Sequence, residues 1–142
     1  MNDKKRVLIL CTGNSCRSQM GEGWVRHDLG DKVEVYSAGT QPSRVHPFAI
    51  AVMAEAGVDI SSHRSKSLSE FWGQPFDLLV TVCDSAKEAC PMFAGAAKQI
   101  HESLPDPAGF TGAEEEVIEK FREVRDLIQE RLVPLVRREL GL

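Results

Sequence analysis

Seven consecutive residues concentrate the chemistry of this sequence: Cys11-Thr-Gly-Asn-Ser-Cys-Arg17, followed at once by Ser18. A loop of Thr12, Gly13, Asn14, Ser15 and Cys16 can curl until successive backbone N–H groups point inward. That makes an anion-binding nest, strengthened where a helix begins. Arg17 adds a planar fork suited to two oxygens of a tetrahedral oxyanion. The same positive surroundings favour the thiolate of Cys11 and make it a nucleophile. Ser18 is placed to hydrogen-bond that sulfur and to cap the helix behind it. Cys16 lends its amide to the nest, while its side chain is expected to turn away as a structural thiol. The G-x4-G-K-[ST] pattern of a nucleotide-binding loop is absent.

Cys83 and Cys90 complete a set of four cysteines. A chain with a full-sized core needs no disulfides to fold, so catalysis, redox chemistry and metal binding all stay open. Zinc fits poorly, because C-x6-C is wider than the usual two to four intervening residues. His27, His46, His63 and His101 do not complete such a set, and no metal is expected. Asp106, flanked by Pro105 and Pro107, reads on its own as an ordinary turn aspartate.

Elements must hold these residues in place. Arg6-Val-Leu-Ile-Leu10 is a short run of β-formers, as in a strand buried on both faces of a parallel sheet, and it ends at Cys11. From Ser18, the spacing of Met20, Trp24, Val25 and Leu29 predicts a helix closed by Gly30. Lys32 to Ser37 alternates like a strand, and the long loop from Gly39 to Pro47 is a candidate functional loop. A second helix is predicted from Phe48 to Ala56, and a second apolar strand from Asp77 to Val82, with Cys83 at its end. Lys98 to His101 is a fourth short strand. The stripe Val117, Phe121, Val124, Ile128, Leu132 and Leu135 marks a long amphipathic helix, in which Pro134 predicts a kink or a stop. Strands alternating with helices imply a three-layer α/β fold: a mostly parallel four-stranded sheet with helices on both faces. Ligands of such sheets bind beyond the strands' carboxyl ends, where Cys11, Cys83 and the Asp106 loop converge.

The 142 residues are read as one domain spanning 1–142, with 42% apolar and 27% charged residues. A net charge of −4 disfavours nucleic acid and anionic membrane as partners. No apolar run approaches the ~18–20 residues of a membrane span, and none behind the charged N-terminus makes a secretory core. A cytoplasmic monomer is expected.

Val7-Leu-Ile-Leu-Cys-Thr-Gly-Asn-Ser-Cys-Arg-Ser18 resembles the signature of the low-molecular-weight protein tyrosine phosphatase superfamily, and Asp106-Pro107 resembles its general-acid loop. The resemblance runs from residue 6 to the C-terminal helix and implies that superfamily's fold. It also implies roles: Cys11 attacks, Arg17 and the loop amides hold the oxyanion, and Asp106 protonates the leaving oxygen. Cys83-Asp-Ser-Ala-Lys-Glu-Ala-Cys90-Pro is similar to the redox segment of the superfamily's thioredoxin-coupled arsenate reductases, as is Gln19-Met-Gly-Glu-Gly-Trp24. Phosphatases typically place a proline directly after the serine, and Tyr36 is the sole tyrosine here.

The resemblance implies a Cys11–arsenate adduct, release of arsenite by Cys83 to leave a Cys11–Cys83 disulfide, and attack of Cys90 on Cys83. The resulting bridge is recycled by thioredoxin. Seven residues of helix rise ~10 Å, so residues 84 to 89 are expected to be irregular or to loop out on oxidation. A phosphotyrosine phosphatase working through phospho-Cys11 is the alternative, and weak phosphatase activity is compatible with the first reading. A non-catalytic oxyanion sensor is a third reading, against which Asp106 argues. Some reductases of this branch bind potassium through an Asn, a Glu and an Asp. Asn14 and Glu22 match, but Lys66 stands at the third position, where its ammonium is expected to pair with Glu22 in place of the ion. No other cofactor is implied.

Overall fold

The computed structural model describes residues 4–83 and 96–142. Strand β1 (Lys5–Cys11) alternates its side chains between two apolar clusters, because successive strand residues face opposite sides of a sheet. Val7, Ile9 and Cys11 face one cluster, Leu8 and Leu10 the other, and Val7 to Leu10 have no exposed surface. Strands β2 (Val33–Gly39), β3 (Leu78–Thr81) and β4 (Gln99–His101) join it in the order β2-β1-β3-β4, and every pairing is parallel. The sheet is thus the four-stranded parallel one expected. Its register sets Cys11 opposite Gly39 and Leu10 opposite Thr81, so the carboxyl ends of β1, β2 and β3 lie level.

Among the described residues, three α-helices cover the Val7–Ile9 side: α1 (Arg17–Leu29), α2 (Pro47–Glu55) and α3 (Glu114–Glu139). Met20, Trp24, Val25 and Leu29 of α1 meet Phe121, Val124, Ile128 and Leu132 of α3 in the larger cluster. Each such side chain, fully buried, contributes roughly 1.5–3 kcal/mol. The Trp24 indole N–H donates to the Arg125 carbonyl at 3.1 Å, pinning α1 to α3. On the opposite face a 3-10 helix, Leu68–Phe71, seals Leu8, Leu10 and Leu79 with Phe71 and Phe76. Trp72, which follows it, is 59% exposed.

Pro134 neither stops nor divides α3, which runs on to Glu139. The ring lies on the solvent side, so the Glu130 carbonyl that loses its helical partner faces water. Leu132, Val133, Leu135 and Val136 remain buried on either side and hold the helix against the core. Among the described residues, no helix is long and apolar enough to cross a membrane.

Candidate active site

β1 delivers Cys11 to the carboxyl edge of the sheet, and α1 starts at Arg17, so residues 12–16 must turn within five positions. Asn14 makes that turn possible at φ 47°, a left-handed conformation that Asn tolerates better than most residues. Each loop carbonyl is held by a donor. Thr12 accepts from the Gln41 amide (2.9 Å), Gly13 from the Ser43 amide (3.1 Å) and the Ser65 hydroxyl (3.0 Å), and Ser15 from the His46 amide (3.1 Å). Asn14 accepts from Gln19 Nε2 (3.2 Å) and Cys16 from the Met20 amide (2.9 Å). With its carbonyls so engaged, the loop is held in the curl that an anion nest requires.

A cleft of about 200 Å³ opens over this loop. It is lined by Cys11, Thr12, Gly13, Ser15, Cys16, Arg17, Asp106 and Ala108. The Arg17 guanidinium, 5% exposed, donates from Nη1 to the Leu104 carbonyl (3.2 Å), while Nη2 lies 3.7 Å from Asp106 Oδ2. Asp106 in turn accepts the Ala108 amide (3.0 Å), which fixes its side chain at the start of the 3-10 turn Pro107–Gly109. Cys11, Arg17 and Asp106 therefore share one cleft.

Behind Cys11 lies a buried polar chain. Asn14 Nδ2 donates to Ser18 Oγ (2.8 Å) and Ser37 Oγ (3.0 Å), so the Ser18 proton is left for Cys11 Sγ, 2.8 Å away. Ser37 donates to Glu22 Oε1 at 2.5 Å. Arg26 Nη2 reaches Glu22 Oε2 (2.8 Å), and the Lys66 ammonium stands 3.7 Å from Oε1. Burial pushes the Glu22 carboxyl up, but the Ser37 hydrogen bond with the Lys66, His63 and Arg26 charges outweighs it and holds it low. His63 closes the chain, donating from Nδ1 to Gln19 Oε1 (3.0 Å) and accepting from Arg26 at Nε2 (3.0 Å). Residues that would hold potassium beside such a loop do not fit it here. Lys66 sets a positive charge against Glu22, and its own amide occupies Asn14 Oδ1 (2.9 Å).

Most sequence-predicted positions meet, with one correction. Ser18 does not cap α1: it lies inside the helix, whose cap is Cys16 without a side-chain bond, because the Ser18 hydroxyl is turned to Cys11 and Asn14. Cys16 borders the cleft and belongs to the buried core cluster, and burial, opposed by its hydrogen bond with Ser15, pushes its thiol up to about 12. Cys83 follows β3, is fully buried, and does not line the cleft. It is disulfide-bonded, whereas Cys11 and Cys16 carry free thiols. Cys90 and residues 84–89 lie outside the described residues. Gln41, Ser43, His46 and Ser65 are parts of the site that residue types do not single out; the length of the loop from Gly39 signals the first three, and nothing in the sequence signals Ser65.

Residues 6–141 match the family described as low molecular weight phosphotyrosine protein phosphatase. The chain belongs to that family. An arsenate reductase of Halalkalibacterium halodurans is 44% identical over 130 residues, spanning 92% of this chain and 94% of that protein. A solved arsenate reductase in a phosphate-binding state superposes with a TM-score of 0.80 at 35% identity, covering 94% of this chain and 98% of that one. A thioredoxin-dependent arsenate reductase of Corynebacterium glutamicum gives a TM-score of 0.66 at 28% identity, over 95% of this chain and 64% of its own.

Proposed function

We propose that this family member reduces arsenate to arsenite, with Cys11 as nucleophile, a Cys11–Cys83–Cys90 relay, and thioredoxin as reductant. One observation carries the reading: an oxyanion cleft holding a free thiol sits at the same sheet edge as a second cysteine engaged in a disulfide. The arsenate reductases it resembles, one of them thioredoxin-dependent by name, support it.

Arg17 and the loop amides bind the oxyanion against Cys11. The sulfur attacks arsenic and one As–O bond breaks, its oxygen leaving as water with a proton from Asp106. The Cys83 thiolate then attacks Cys11 Sγ. The S–As electron pair passes to arsenic, which leaves as arsenite, reduced from As(V) to As(III), and a Cys11–Cys83 disulfide remains. Cys90 attacks Cys83 and frees Cys11, and the dithiol of thioredoxin reduces the Cys83–Cys90 bridge. Lys66 makes the loop independent of potassium.

A second reading, hydrolysis of aryl phosphates through phospho-Cys11, is favoured by the place of Asp106 in the cleft. The deciding experiment follows NADPH oxidation with thioredoxin and thioredoxin reductase, with and without arsenate, in the wild type and in Cys83→Ser and Cys90→Ser. Arsenate-dependent turnover lost in both variants is expected. Absent turnover, with aryl phosphate hydrolysis indifferent to either substitution, hands the site to the phosphatase.

A further inference from the structure

The oxyanion site is poorly advertised to solution. Arg17 is almost wholly buried and already faces the Leu104 carbonyl and Asp106, while the whole chain carries −4. An approaching dianion is thus repelled by the molecule before it feels the nest. Arg44 is the exception beside the loop. It sits on the clamp between Ser43, whose amide holds the Gly13 carbonyl, and His46, whose amide holds the Ser15 carbonyl. Two backbone anchors therefore fix where residue 44 stands relative to the cleft. Arg6, Arg26, Arg64, Arg122 and Arg125 each pair with a carboxylate. Arg44 is exposed and makes no hydrogen bond or ion pair with any described residue, nor does it line the cleft. Burial, with the Arg44 charge, lowers the His46 ring from its ordinary value, and the Asp106 charge opposes them, so both charges are felt at the residue whose amide anchors the loop.

We propose that Arg44 is an electrostatic capture residue, raising the concentration of oxyanion at the mouth of the cleft without entering it. This rests on the reading of the cleft as an oxyanion site with Cys11 as its nucleophile, and not on arsenate being the substrate. A unit charge about 10 Å from a monoanion in water-like surroundings is worth about twofold in encounter, and the effect squares to about fourfold for a dianion.

The test compares alkylation of Cys11 by iodoacetamide, which is neutral, and by iodoacetate, a monoanion, in the full-length wild type, Arg44→Gln, Arg44→Glu and Arg44→Lys. Modification is read on the Cys11 peptide by mass spectrometry. Cys16, with its thiol pushed up to about 12, does not compete. At about 0.01 M ionic strength, where the Debye length is about 30 Å, the iodoacetate rate should fall about twofold in Arg44→Gln and fourfold in Arg44→Glu. The iodoacetamide rate should hold, and Arg44→Lys should match the wild type. At about 1 M salt the differences should vanish. In the coupled assay, Arg44→Gln should raise KM for arsenate about fourfold at unchanged kcat. Equal changes with both reagents, or none with either, would overturn the proposal. Charge-selective alkylation in a protein that does not turn over arsenate would support capture and sink the reductase reading alone.

Discussion

Glu22 is a carboxylate 5% exposed inside a helix–sheet interface, and its neighbours answer that charge one by one. Ser37, Arg26 and Lys66 surround it with two cations and a donor, and Asn14 passes the arrangement on to Ser18 and Cys11. A buried charge left unpaired is strongly destabilising, and on the proposed reading the lysine takes the task of a bound monovalent cation. The wild type is therefore expected to show equal rates in potassium and in sodium at matched ionic strength. Lys66→Asp places a second carboxylate beside Glu22 and should make activity rise severalfold with potassium over sodium. A wild-type rate that itself needed potassium would refute this account of Lys66.

At the scale of elements, the loop after β2 is a clamp: through residues 41, 43 and 46 it holds three of the nest's carbonyls. It starts at Gly39, opposite Cys11 in the register, where a Cβ would collide with the Thr12 carbonyl oxygen and stand 2.9 Å from the Asn14 amide. Both obstacles are backbone of the nest and have no rotamer to swing away. Gly39→Ala is thus expected to cost on the order of 1–3 kcal/mol of stability. Calorimetric titration should also find phosphate bound at least tenfold more weakly; unchanged affinity would show that the nest tolerates the shift. This division explains what was legible beforehand. The loop from Cys11 to Ser18 is contiguous, so its chemistry could be read from residue order, and the apolar runs of β1 and β3 announced a doubly covered parallel sheet. The clamp joins positions distant in sequence, such as Thr12 with Gln41 and Ser15 with His46, through backbone groups that every sequence possesses. Residue types alone could not select them. That Pro134 does not stop α3 has a related reason: its exposure depends on packing that local propensity does not encode.

For the molecule as a whole, the buried network sets the acid limit. Burial lowers His63 from its ordinary 6.5; the Glu22 charge pulls it back, while Arg26 and Lys66 push it down further. The unfolded chain therefore takes up the His63 proton first, so this contribution to stability is complete above pH 6.5 and lost as pH falls from there. Glu22, held below its ordinary 4.5, adds stability that is present above that value and disappears as pH falls through its lowered one. Urea midpoints measured at successive pH values should decline in two stages, beginning near 6.5, and His63→Gln should flatten the first stage. A midpoint constant from pH 7 to 5 would contradict it. The two tryptophans make such measurements unusually easy to interpret. Trp24 is sealed between α1 and α3 with its indole bonded to a backbone carbonyl, while Trp72 stands in water on the other side of the sheet. Acrylamide should quench the red-shifted emission of Trp72 in the native state and leave a blue component belonging to Trp24. The loss of that blue component is an optical signal for the parting of α1 from α3.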